Sequence, residues 1–71
     1  MDKEKLQEVF TYHPPTEDSR RQYDAIRNAG FEFAKVILEN VPPSADRTDA
    51  IRKVREAVMV ANAAVALEGL I

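Results

Sequence analysis

The segment Asn40-Val41-Pro42-Pro43-Ser44 separates two runs that share one hydrophobic spacing. Upstream, Tyr23, Ile26, Gly30, Phe33 and Ile37 recur at intervals of 3, 4, 3 and 4, and Ala34, Leu38 and Val41 widen the stripe. Downstream, Ile51, Val54, Val58, Ala61 and Val65 repeat the same intervals. Such spacing marks one face of an α-helix. The two prolines remove two backbone donors and push the residue before each of them into extended geometry, so the first helix ends at about Asn40. Ser44 can cap the second, with Asp46 in its first turn. A short connection between two long helices predicts an antiparallel hairpin. The first helix, from about Asp18 to Asn40, would be roughly 34 Å long. Gly30 lies in its middle at a cost of about 1 kcal/mol against Ala, which suggests close approach by a neighbouring helix.

Toward the N-terminus stands Thr11-Tyr12-His13-Pro14-Pro15-Thr16. Its proline pair makes a stiff, non-helical link that fixes Tyr12 and His13 relative to the helix after it. Thr16 or Asp18 can cap that helix, and Glu17 and Asp18 favour its positive end. Before the link, Leu6, Val9 and Phe10 fall at i, i+3 and i+4, so Asp2 to Phe10 reads as a short amphipathic helix with Asp2 as its cap. At about three turns it is marginal alone and needs a surface. The charged start, Met1-Asp2-Lys3-Glu4-Lys5, lacks the apolar run of a signal peptide. Toward the C-terminus, Ala57 to Leu67 is apolar on every face except at Asn62. A hairpin covers one side of such a helix, so the other sides predict contact between subunits. The run is about half the length a membrane span requires, so no membrane partner is expected.

Composition excludes several classes. The chain has 71 residues, a net charge of -2, no cysteine, one histidine and two glycines. No disulfide framework or thiolate metal site is possible, and a zinc site lacks ligands. Two glycines exclude a Gly-rich phosphate loop. The acidic balance argues against DNA binding. No catalytic constellation appears, so neither enzymatic activity nor a cofactor is expected. A single domain, residues 1–71, this short and without staples is expected to associate with itself.

The polar residues that stand out have two readings each. Arg20, Tyr23 and Arg27 follow one side of the first long helix, at i, i+3 and i+7. Surface ion pairing, for example Arg27 with Asp24, is the ordinary reading; phosphate recognition by guanidinium forks is the other. Arg52, Lys53 and Arg55 form a second basic group with the same two readings. Tyr12 either packs the link onto the helices or stacks on a ring. His13 reads as a hydrogen-bonded link residue rather than a metal ligand. Asn62, alone among apolar neighbours, reads as a register-setting residue that must find a hydrogen-bond partner.

Taken together, Tyr12-His13-Pro14-Pro15, Tyr23-Asp24-Ala25-Ile26-Arg27, Pro42-Pro43-Ser44, Ala50-Ile51 and Glu56-Ala57-Val58-Met59-Val60-Ala61-Asn62-Ala63-Ala64 resemble the small phage helical-hairpin sponges directed against CBASS and Thoeris immunity. The most specific part is the Glu-Ala-Val-Met-x-Ala-Asn-Ala-Ala run. The resemblance implies an all-α homohexamer that sequesters a messenger without cleaving it, in pockets between protomers, in the cytoplasm of an infected bacterium. The ligands it implies are cyclic dinucleotides, cyclic trinucleotides or cyclic ADP-ribose derivatives. It also implies that Tyr12 stacks on a nucleobase and Arg27 meets phosphate, with His13, Arg20 and Tyr23 as further candidate ligand-binding residues. The chain departs from the family pattern at Ala29, where some members place a hydroxyl, at Val60, where Trp is frequent, and at Ala66-Leu67-Glu68, where an arginine is frequent. The dinucleotide-type site is thus the more intact. The rival expectation is a structural or adaptor helical oligomer that binds only protein.

Overall fold

The computed structural model describes residues 1–69, so the last two residues of the expected 1–71 unit lie outside it. It is all-α, with three helices, α1 (Lys3–Phe10), α2 (Glu17–Asn40) and α3 (Ala45–Ala66), and no strand among the described residues. Each helix starts at a side-chain cap. The Asp2 carboxylate accepts from the Lys5 N–H at 2.8 Å. Thr16, rather than Asp18, caps α2: its hydroxyl accepts from the Ser19 N–H at 3.1 Å, and the Ser19 hydroxyl accepts from the Thr16 N–H at 2.7 Å. Ser44 caps α3 by accepting from the Arg47 N–H at 3.1 Å. Each cap satisfies a donor that the first helical turn cannot, and is worth about 1 kcal/mol. Val41-Pro42-Pro43 turns the chain back, and α2 and α3 pack as the expected hairpin, while α1 packs on neither.

The seam holds with one correction. Tyr23, Ile26, Gly30 and Ile37 meet Ile51, Val54, Val58, Ala61 and Val65, and all are partly covered. Phe33, expected on the seam, is 60% exposed. Ala34 takes its place. The cause is the close approach at Gly30, where an added methyl group would run into the Val58 side chain. Where helices come that near, the next residue on the seam must also be small, so Phe33 is displaced to the flank. Gly30→Ala is expected to lower the melting temperature, because overpacking costs about 1–3 kcal/mol against the roughly 1 kcal/mol gained in helix propensity. Thermal unfolding should show the loss, and Val58→Ala in the same chain should recover part of it. A Gly30→Ala chain that melts with or above the parent would show that the helices separate at no cost.

No described residue is fully buried. The chain has a radius of gyration of 15.2 Å and extents of 46 × 28 × 14 Å, against about 11 Å for the radius of a compact chain of this length. It is a single layer of helices. Stable domains stack two.

Candidate functional site

The candidate site lies where the link meets the N-terminal half of α2. A recess of about 310 Å³ is lined by His13 and Pro15 from the link and by Arg20, Tyr23, Asp24 and Arg27 from α2. The spacing of 20, 23, 24 and 27 puts these four on adjoining turns of one helical face. A second recess, about 460 Å³, shares Tyr23 and Arg27 and is completed by Met59, Asn62 and Ala63 of α3. Tyr23 and Arg27 thus join the two into one concave surface running from the link to α3.

His13 ties the link to α1. Its Nε2 is 2.9 Å from the Glu8 backbone oxygen, and since a carbonyl can only accept, Nε2 carries the proton. The Glu8 carboxylate stands 3.6 Å away. His13 therefore reads as the hydrogen-bonded link residue and also lines the recess.

The charges favour an anion. Arg27 Nη1 meets Asp24 Oδ1 at 3.4 Å, with the arginine side chain 64% exposed. A solvated pair of this kind is worth at most about 1 kcal/mol, so the guanidinium remains available to a stronger acceptor. Arg20 has no ion-pair partner among the described residues. Two guanidinium groups against one carboxylate leave the recess cationic, and guanidinium forks match phosphate oxygens. Tyr23, half-covered, presents a ring between them.

Tyr12 stands apart. It is 80% exposed and lines neither recess. Within one chain it does not pack the link onto the helices. Arg52, Lys53 and Arg55 also lie outside both recesses, and Lys53 is held by Asp49 at 2.9 Å. Among the described residues no cluster could hold a metal ion.

Met59, Asn62 and Ala63 were not expected in the site. Asn62 gave a signal, as the one polar residue in an apolar run, and the structure gives that signal a place. Its Oδ1 is buried and accepts no hydrogen bond within the chain. An unmet acceptor costs about 1–3 kcal/mol, so its donor must come from outside the chain or from a rearranged neighbour. Asn62→Leu is expected to leave helix content intact while changing oligomer homogeneity or ligand affinity, read by circular dichroism, light scattering and titration. All three unchanged would remove both roles from this residue.

Among comparisons with known proteins, the family model for the Acb2/Tad1 hairpin domain matches residues 2–66. No curated protein and no solved structure matches the chain.

Proposed function

Because the chain belongs to the Acb2/Tad1 hairpin-domain family, we propose that it sequesters cyclic oligonucleotide or cyclic ADP-ribose-type immune messengers in the cytoplasm of an infected bacterium, without cleaving them. The observation that carries this reading is the convergence of Arg20, Tyr23 and Arg27 with His13 on one cationic recess that continues to Asn62. A cyclic dinucleotide has two phosphates and two bases. It calls for cations and aromatic faces, each presented twice. A pocket between protomers related by symmetry supplies both from a single copy of each residue. In this reading Arg27 and Arg20 meet phosphate, Tyr23 and Tyr12 meet bases, and the assembly is a homohexamer. The exposed position of Tyr12 suits a ring that reaches a neighbouring protomer's ligand. No general base is needed, since binding alone removes the messenger. No described helix is long and apolar enough to cross a membrane.

The test is thermal unfolding against a panel of cyclic dinucleotides, cyclic trinucleotides and cyclic ADP-ribose derivatives. A ligand at a hundred times its Kd adds about 2.7 kcal/mol, which is about 10–20 °C in a domain of this size. Heating the complex should then release the nucleotide intact. Melting that no member of the panel raises would favour the rival reading, an oligomer that binds only protein. A hydrolysed product would overturn the non-catalytic one.

A further inference from the structure

We propose that the last turn of α1 is a mount for Tyr12, with Thr11 and His13 as positioning residues that bond back to it from either side of the tyrosine. The proposal rests on the reading of Tyr12 as a ring that meets a base, and it names what holds that ring in place.

The prolines alone do not hold it. Pro14 and Pro15 restrict their own backbone and that of the residue before each, which reaches back to His13 and no further. Tyr12 lies one residue beyond. What restrains it is the carbonyl end of α1, where the last carbonyls have no partner within the helix. The Thr11 N–H donates to the Glu8 backbone oxygen at 3.2 Å. The Thr11 hydroxyl donates to the Gln7 backbone oxygen at 2.7 Å. His13 Nε2 donates to the same Glu8 oxygen at 2.9 Å. One carbonyl thus accepts from the residue before Tyr12 and from the residue after it, and the tyrosine sits in the closed loop between them.

The loop also sets which way the ring faces. Thr11 is extended, at φ -81° and ψ 141°, and an extended chain sends alternate side chains to opposite sides. Thr11 and His13 turn toward α1, and Tyr12 turns to solvent. The exposures agree: 25% for the His13 side chain and 80% for Tyr12. His13 lines the recess beside Arg20 and Arg27 as well. The bond that ties the link to α1 therefore also fixes where Tyr12 stands relative to the two guanidinium groups. Because α1 packs on neither helix of its own hairpin, holding the link is what it contributes within the chain.

Nitrogen-15 relaxation of the Tyr12 amide, with no nucleotide present, reads the mount directly. The parent is expected at an order parameter of about 0.85, the rigid-backbone range, and His13→Ala and Thr11→Val below about 0.6. His13→Gln, whose amide can donate to the Glu8 oxygen, should recover the parent value. Cyclic di-AMP and cyclic di-GMP are then titrated. His13→Ala and Thr11→Val should each lose about 5- to 30-fold in affinity, the cost of fixing one residue's backbone on binding. In a Tyr12→Ala background the same two substitutions should cost less than about twofold more, because with the ring gone nothing is left to position. A Tyr12 amide as rigid in His13→Ala and Thr11→Val as in the parent overturns the proposal. So do losses as large in the Tyr12→Ala background as in the parent, which would make His13 a direct ligand contact. A parent chain that binds neither nucleotide counts against the dinucleotide reading alone, and the relaxation result still decides whether the mount exists.

Discussion

Arg27→Glu is expected to abolish cyclic dinucleotide binding while leaving the helices and the oligomer intact. The side chain is 64% exposed and its one partner, Asp24, holds it at 3.4 Å. Its removal therefore costs the fold little. A charge-assisted hydrogen bond to phosphate is worth about 1.5–3 kcal/mol. With one Arg27 from each of two protomers, the loss is about 3–6 kcal/mol, or 10²- to 10⁴-fold in Kd. The new carboxylate adds repulsion to that figure. Arg27→Lys should keep a large part of the affinity, because the charge remains while the fork is lost. Calorimetry on the three proteins, with light scattering as the control for assembly, settles the role. Parent-like affinity in Arg27→Glu would remove Arg27 from the site and with it the strongest support for phosphate recognition.

Tyr12→Ala should weaken the same ligand by about ten- to a hundredfold, since base–aromatic stacking is worth about 1–3 kcal/mol. The link holds the ring ready, so little ordering entropy opposes binding. Tyr12→Phe keeps the face and should bind nearly as tightly as the parent. The ring is 80% exposed in the single chain, which makes a paired measurement informative: melting without ligand, and titration with it. Equal affinity in all three, with a lower melting temperature for Tyr12→Ala, would make the ring an interface residue rather than a stacking platform.

The helices were legible because their ends are written in short-range chemistry. Asp2, Thr16 and Ser44 accept from the first turns of their helices, and Pro42-Pro43 admits no continuation. Phe33 was misplaced because a strict 3-4-3-4 repeat assumes a constant distance between helices. The Gly30–Val58 contact breaks that assumption and selects Ala34. Of the residues that line the candidate recess, Arg20, Tyr23 and Arg27 share one side of one helix, a local property that their spacing shows. Met59 and Ala63 gave no such signal, because their membership depends on the rotation of α3 against α2. That rotation is set by packing across the seam. The two readings of Tyr12 could not be separated from sequence, since stiffness of the link says nothing of what lies opposite the ring.

The single layer of helices has a consequence for dosage. With no described residue fully buried, a chain that assembles as proposed would draw much of its folding free energy from association, which depends on concentration. In that assembly, dilution would unfold the protein as it separates it. Below the assembly threshold such a chain would be proteolytic substrate, and above it the folded fraction would climb steeply. Its effect in a cell would be set by how fast it accumulates, with scarcely any graded response between none and full.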